Sequence, residues 1–341
     1  MCKLYLAPLE GITGYCYRAC VNKYFGGEID KFFTPFFAPH TKRTMNTKEM
    51  NDVLLEHNKG MYLVPQILTN SADDFLRFEK DMREKFGYEE TNINMGCPSG
   101  TVVSKGRGAG ILSDLRRMDE FLYDVFEKKH GRVSLKVRLG IDTADEFYDI
   151  FEILSKYEAE EIIIHPRVRN EFYKGECHFD IFKYAYDNSR RPLCWSGDIN
   201  SVEDYKRLIQ KLGRNNGKEA CSAPGKDEKF PFAVMLGRGM VADPSLIRQI
   251  KGGDKMTMEE LESFHDELLG NLADILPGNT PLMHKMKEIW LYMINTFDDR
   301  CFEKMGITRD RALKNIQKCK SMNEYKILVK ALITEYVPCG I

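Results

Sequence analysis

The sequence has no uninterrupted apolar run approaching 18 residues, no Cys-x-x-Cys pair and almost no net charge. The first absence argues against a membrane-spanning helix. Met1-Cys2-Lys3-Leu4 leads straight into strand-like sequence, so no secretory signal is expected either. The ten cysteines are scattered over positions 2, 16, 20, 97, 177, 194, 221, 301, 319 and 339. None has zinc-finger spacing, and no metal site is expected. A disulfide framework is not needed by a chain that can build its own core, so the thiols are read as free in a reducing, cytoplasmic setting. Fifty Lys+Arg against fifty-one Asp+Glu leave a net charge of −1. That excludes a globally basic nucleic-acid binder, but not one with a basic face.

What is present points to a large ordered core, with 43% hydrophobic and 30% charged residues over 341 positions. Short β-rich runs begin near Lys3, Lys31, Tyr62, Glu90, Val133, Glu161, Arg191 and Phe232. The gaps accommodate a loop and a helix, and Ala72–Phe86, Leu115–His130, Ala144–Tyr157 and Ser201–Leu212 are amphipathic. Eight strands alternating with helices over about 240 residues predict an α/β fold, a closed (β/α)8 TIM barrel over residues 1–252. Gly213–Lys229 is polar and glycine-rich, and reads as a surface insertion. After Gly252 the pattern is helical only, which predicts an all-helical domain over 253–341. Thr257/Glu260 and Ser321/Glu324 have capping-box spacing, and Pro277-Gly278-Asn279 breaks the chain between two helices. Residues 255–299 carry three Lys/Arg against nine Asp/Glu, whereas 300–330 carry nine against three. The basic stretch is either a solvated helix face or a phosphate-contacting surface.

In such a barrel the chemistry sits where strands end and loops begin. Those positions are Ala7-Pro8-Leu9-Glu10-Gly11, Gln66, Asn94-Met95-Gly96-Cys97-Pro98, Lys136 with Arg138, His165 with Arg167, Ser196-Gly197-Asp198 and Gly237-Arg238-Gly239. Polar groups at six of eight ends of apolar strands are costly to bury as mere packing. The last two ends suit a phosphate, through backbone N–H groups and a guanidinium. Gly237–Ala242 also fits G-x-G-x-x-A, but no further βαβ unit follows it as a dinucleotide fold requires. A cation at Lys136 or His165 would stabilise a reduced flavin ring, and Gln66 and Asn94 offer amides to its edge. Cys97 is a packing thiol, a nucleophile with a depressed pKa, or a general acid that needs only to stay protonated. The loop Ser104–Gly110 is basic and glycine-rich, and closes over a nucleotide or simply turns. Lys42, Arg43, Arg167, Arg169 and Lys174 add positive charge to the rim.

On these residues the chain resembles the tRNA-dihydrouridine synthases, FMN enzymes with an N-terminal barrel and a C-terminal helical domain. The most specific element is Asn94-Met95-Gly96-Cys97-Pro98 with the glycine-rich Lys105–Leu112 stretch, and the likeness spans about residues 3–330. The resemblance implies NADPH-dependent reduction of the C5–C6 double bond of specific tRNA uridines, with Cys97 protonating C5. It implies flavin contacts at Ala7, Pro8, Leu9, Gln66, Asn94, Lys136, His165 and Ser196, and phosphate-side contacts at Gly197, Asp198, Gly237 and Arg238. It further implies tRNA contacts at Lys105, Arg107, Arg138, Arg167 and Arg169, in a monomer. Two positions depart from the family pattern: Ser196 replaces an asparagine, and Thr101 stands where a lysine often follows the Cys-Pro pair. A small-molecule ene-reductase on the same barrel would not need the basic tail, and a non-catalytic RNA binder would not need Cys97, Lys136 and His165.

Overall fold

A computed structural model describes residues 2–39, 44–213 and 232–336. Eight parallel strands close into a barrel in chain order. They are β1 (Lys3–Leu6), β2 (Lys31–Phe37), β3 (Leu63–Ile67), β4 (Glu90–Met95), β5 (Arg132–Arg138), β6 (Ile162–His165), β7 (Leu193–Trp195) and β8 (Ala233–Leu236). All eight expected strands are present. The TIM barrel closes where β1 pairs with β8, from Lys3↔Ala233 to Leu6↔Leu236. Most of the polar insertion, residues 214–231, lies outside the described residues, as do Lys42 and Arg43.

The barrel helices are α1 (Tyr15–Phe25), the short α2 (Thr47–Met50), α3 (Ala72–Phe86), the short α4 (Gly100–Val103), α5 (Leu115–Lys128), α6 (Glu146–Ser155), α7 (Phe179–Asn188) and α8 (Val202–Lys211). After β8 come the short α9 (Arg238–Ala242) and α10 (Leu246–Ile250). The helical region follows, with α11 (Met258–Ala273), α12 (Asn279–Met293), α13 (Asp299–Lys304), α14 (Arg309–Lys318) and α15 (Met322–Thr334). Helix α3 shows why these segments fold as they do. Ser71 accepts from Asp74 N, acidic residues fill the first turn, and Gly87 closes the helix at φ +74°. Phe75, Phe78 and Met82 then form a buried stripe at helical spacing.

Strand alternation divides the apolar residues into two sets. Tyr5, Ala7, Phe33, Val64, Ile163, Cys194, Ala233 and Met235 fill the barrel interior. Their neighbours Leu4, Leu6, Phe32, Ile162, Ile164, Val234 and Leu236 face outward, beneath the helices. The N-terminal end of the barrel is closed by a polar layer that the sequence patterns did not flag. Lys31 Nζ lies 2.9 Å from a Glu90 carboxylate oxygen and 4.0 Å from Glu161. Tyr5 donates to Glu161 at 2.9 Å, and Tyr62 donates to Glu90 at 3.0 Å. The lysine and the two glutamates sit at the starts of β2, β4 and β6, the alternate-strand layering expected of such a barrel.

The helical region docks against the barrel with no gap in packing, because one buried apolar cluster runs through both. Phe264 of α11 packs edge-on to Tyr17 of α1, with ring centroids 5.9 Å apart, and Glu267 accepts from Tyr24 and Lys23. Lys285 of α12 donates to the Gly11 carbonyl at 2.8 Å, tying that helix to the loop after β1. Within the bundle, Tyr325 OH accepts from Trp290 Nε1 at 2.9 Å and lies 2.8 Å from His265 Nε2. The capping box at Thr257 forms in full. That at Ser321 forms only in half, because the Glu324 carboxylate accepts from Lys320 N rather than Ser321 N. Helices α13 and α14 fall in the basic stretch, where alternating charges obscured a short apolar stripe carrying the buried Ala312 and Ile316. Among the described residues no helix is long and apolar enough to cross a membrane.

The buried layer has a stability signature. Burial pushes the Glu161 carboxyl up to about 7 from 4.5. The folded protein therefore binds more protons than the unfolded chain between those values, and stability falls as pH rises through that window. Glu161→Gln is expected to flatten this fall in thermal melts taken from about pH 5 to pH 8. Lys31→Met, which leaves both carboxylates without their cation, is expected to cost about 3–5 kcal/mol in denaturant titrations near pH 8. Parallel pH profiles for wild type and Glu161→Gln would count against this account.

Candidate active site

The opposite rim gathers the residues that the sequence singled out. Strand β4 delivers the Asn94–Cys97 turn, and a ladder of amides fixes it. Thr34 Oγ1 accepts from Gln66 N at 2.9 Å, where the β2–β3 register shifts beside Pro35. Gln66 Nε2 donates to Asn92 Oδ1 at 2.8 Å, and Asn92 Nδ2 donates to Ser134 Oγ at 2.9 Å. Asn94 Nδ2 donates to Gln66 Oε1 at 2.8 Å, while Asn94 Oδ1 accepts from the backbone N–H groups of Gly96 and Cys97 at 3.1 and 2.9 Å. Both amide ends of Gln66 and of Asn94 thus have protein partners, and Gln66 is fully buried. Their role in the structure is to hold the cysteine turn.

Cys97 is also clasped from the following loop. The Cys97 carbonyl accepts from Ala109 N at 3.0 Å. Gly108 has φ +56°, and a Cβ there would stand 2.9 Å from the Cys97 Cβ. No other residue type meets both conditions without displacing the thiol. Burial raises the thiol above its ordinary pKa, outweighing the Ser99 N–H, Arg138 and Lys136, which pull it down. A protonated thiol at neutral pH suits a proton donor and not a resting thiolate nucleophile.

Five cationic or basic groups converge beside it on β5, β6 and β8. Burial, with Arg138 second, lowers the Lys136 ammonium to about 8. Burial and the surrounding Arg138, Lys136, Arg167 and Arg238 hold His165 well below its usual value, so its ring is neutral at pH 7 and acts by hydrogen bonding. Asp198 is the carboxylate that answers them. Burial alone would raise it, yet the guanidiniums of Arg167 and Arg238 keep it below the ordinary range. It accepts from both of them.

A pocket of about 80 Å³ opens at this rim, walled by Ala7, Pro8, Leu9, Lys136, His165, Ser196, Gly197, Asp198, Gly237 and Arg238 together with Tyr173, Ile199, Asn200 and Met235. Ten of the twelve residues expected at the cofactor are walls of this pocket. Gln66 and Asn94 are not, and they stand behind the Cys97 turn. Cys97 itself is outside the walls, next to Lys136 and Arg138. A Cβ at Gly197 would stand 2.7 Å from the Trp195 indole, so glycine keeps the β7 loop close. The donor set fits a flavin mononucleotide: a lysine with no ion-pair partner among the described residues, backbone and Arg238 at the phosphate end, and apolar Ala7–Leu9 under a ring. Flavin-sized sites span roughly 300–1,000 Å³. Tyr173, whose ring lies 4.9 Å from the Arg238 guanidinium, 5.4 Å from that of Arg138 and 5.8 Å from His165, must swing aside for such a ring. It is half exposed and follows Phe172, which has φ +53°.

The five positions expected at the RNA divide in two. Lys105 is exposed, and Arg107 and Arg169 are partly so. Arg169 donates to the Pro98 carbonyl at 3.2 Å, just beyond the cysteine. Arg138 and Arg167 are buried. Arg138 donates to the carbonyls of Gly96 and Val168, at 2.9 and 3.0 Å. Arg167 donates to Asp198 and to the carbonyls of Lys174 and Gly175. These two guanidiniums brace the site from within. Tyr173 was missed as a site residue because an aromatic in a polar loop carries no periodic signal. Its spacing beyond His165 and Arg167 was the available cue. Among the described residues no group of three His, Cys, Asp or Glu could hold a metal ion.

Residues 5–326 match the family model described as dihydrouridine synthase. The chain is 30% identical over 275 residues to the tRNA-dihydrouridine(16) synthase of Pseudomonas syringae pv. tomato, covering 75% of this chain and 79% of that protein. It is 26% identical over 283 residues to the enzyme of the same name from Ralstonia nicotianae, covering 81% and 80%. To the tRNA-dihydrouridine synthase B of Pasteurella multocida it is 25% identical over 247 residues, covering 72% and 68%. The match of the family model over residues 5–326 makes the chain a member of the dihydrouridine synthase family.

Proposed function

We propose that this protein is an FMN-dependent, NADPH-consuming enzyme that reduces the C5–C6 double bond of uridines in tRNA, with Cys97 as the general acid. The observation that carries the reading is the Cys97 thiol held protonated beside Lys136 and Arg138 on the rim of a cation-lined pocket. The relatives' names supply the tRNA substrate. When bound, FMN supplies a hydride, taken from NADPH, to C6 of the uracil ring. Lys136 would hold positive charge against the reduced ring. Gly197, Gly237 and Arg238 would hold the phosphate through backbone N–H groups and a guanidinium, and Ala7–Leu9 would support the ring.

Cys97 completes the addition by giving its S–H proton to C5, so that one hydride and one proton saturate the bond. The Asn94 and Gly108 clasps fix the backbone of the turn that carries the thiol, and water restores the proton afterwards. The uracil must leave its stack to reach the thiol, which suits an unpaired loop nucleotide. Electrostatics favour RNA at the helical region, where Arg311, Lys314 and Lys318 are exposed along one face of α14. Lys320, Lys326 and Lys330 extend that surface toward α15. Arg309 does not join them, because its guanidinium is held by Asp299 and the Phe297 carbonyl.

The purified protein is expected to carry flavin, visible in its absorbance, and to form dihydrouridine in unmodified tRNA but not in free uridine. Cys97→Ala is expected to keep flavin and tRNA affinity while single-turnover reduction falls by about 10²-fold or more. Wild-type activity should fall as pH rises past about 8, where Lys136 loses its charge before the raised thiol is reached, and unchanged turnover in the alanine variant would remove Cys97 from the mechanism. The triple change Arg311→Gln, Lys314→Gln, Lys318→Gln should weaken tRNA binding and lower the slope of log Kd against log salt by about 2–3. An unaltered slope would make that helix face ordinary solvated surface.

A further inference from the structure

Next to the rim pocket of about 80 Å³ lies a second, larger cavity of about 880 Å³, where the β7 and β8 loops face the end of α12. The two spaces share Tyr173, Asp198, Asn200 and Arg238 as walls. The shared walls belong to the loops after β6, β7 and β8, on the rim that also carries the Cys97 turn.

The chemistry of the larger space differs from that of the smaller. Arg238 is paired with Asp198, and Lys255 lies 3.9 Å from Asp243, which leaves Glu203 as its uncompensated charge. Such a lining disfavours a phosphate and suits an uncharged ligand. Its polar reach consists of neutral groups: the amides of Asn200, Gln249 and Asn295, and the hydroxyl of Thr296. Thr296 is 3% exposed and its Oγ1 has no hydrogen-bond partner. A hydroxyl buried in this way is costly unless a ligand completes it. Tyr292 and Leu291 add apolar surface. At the mouth, Asn295 Oδ1 accepts from Arg309 of α14 at 3.5 Å, so the basic helix begins where the cavity ends.

We propose that this cavity receives a second unstacked nucleobase of the RNA, from a nucleotide adjacent in sequence to the uridine being reduced. The inference rests on the tRNA reading above. An aromatic wall beside a ring of amides and hydroxyls is how proteins hold single-stranded bases, by stacking and by bonding the Watson–Crick edge. The neutral lining distinguishes the base-reading cavity from the phosphate-tracking face of α14. Selectivity between uridines would then come in part from the identity of the neighbour.

The test uses the flavin-loaded enzyme and tRNA transcripts carrying a single abasic site at each nucleotide flanking the reduced uridine. Leu291→Trp fills the cavity from its exposed edge, and Thr296→Val removes the hydroxyl at constant shape. Each is expected to weaken tRNA binding about tenfold, with an unchanged salt slope because no phosphate contact is lost. Flavin content and the KM for NADPH should stay at wild-type values. One flanking abasic site should weaken wild-type binding by a similar factor and cost nothing further in Leu291→Trp, the non-additivity of a shared contact. If Leu291→Trp proves unfolded in thermal melts, Thr296→Val carries the same comparison. Additive losses at every flanking position would overturn the proposal, as would variants that change only the KM for NADPH, which would assign the cavity to the dinucleotide. A wild-type protein that neither binds nor reduces tRNA would instead remove the reading beneath it, and the proposal with it.

Discussion

The pairing of β1 with β8 is the constraint on which the rest of the molecule depends. Lys3–Leu6 and Ala233–Leu236 are remote in sequence, yet their four-residue register closes the sheet. Closure places every strand's C-terminal end on one rim, so that Pro8, Cys97, Lys136, His165, Asp198 and Arg238 become neighbours. It also leaves the two ends of the barrel with different tasks. The N-terminal end carries a self-contained ionic layer of Lys31, Glu90 and Glu161, closed by two tyrosines. The other end carries more cations than carboxylates, an imbalance of the kind that gathers at ligand sites.

That imbalance sets the protonation states from which any chemistry must start. Burial, reinforced by the neighbouring guanidiniums, depresses Lys136 and keeps His165 neutral, and burial keeps Cys97 a thiol. The same crowd is made tolerable by Asp198, which bridges Arg167 and Arg238. Arg167 in turn holds the backbone of Lys174 and Gly175, and so the loop that presents Tyr173. A change of charge at Asp198 therefore reaches the Tyr173 loop through a chain of hydrogen bonds.

Much of this was legible in the sequence, and the exceptions have physical causes. The strands were readable because apolar β-rich runs recur at intervals that fit a loop and a helix, and α3 was readable to the residue because its cap, stripe and closing glycine agree. The rim pocket was readable because polar side chains at the ends of apolar strands have few structural explanations. The placement of Arg138 and Arg167 was not, since sequence gives a guanidinium's position along the chain but not whether its fork turns to solvent or to backbone carbonyls. Gln66 and Asn94 were placed at the right rim, and their bonds to each other depend on register between strands that no single segment encodes. The Lys31–Glu90–Glu161 layer escaped for the same reason, each residue looking like an ordinary charged strand flank. Helices α13 and α14 were hidden by charge, because their buried stripe is only a few residues wide.

The docking of the helical region decides what the barrel can act on. Lys285 holds α12 to the Gly11 carbonyl, and Gly11 adopts φ +76° with the ammonium only 3.6 Å from where a Cβ would be. The loop after β1 also supplies Pro8 and Leu9 to the pocket, so the bundle and the pocket wall are joined through three residues of chain. Because the apolar core is continuous across the junction, the bundle is not free to pivot on a linker. The basic face of α14 and the rim cavity therefore stand at a fixed separation. In the function proposed above, an RNA held by its phosphates on that helix would offer the pocket only the unpaired nucleotides that lie within that span. Rigid docking would then convert a sequence-blind electrostatic contact into a choice among uridines.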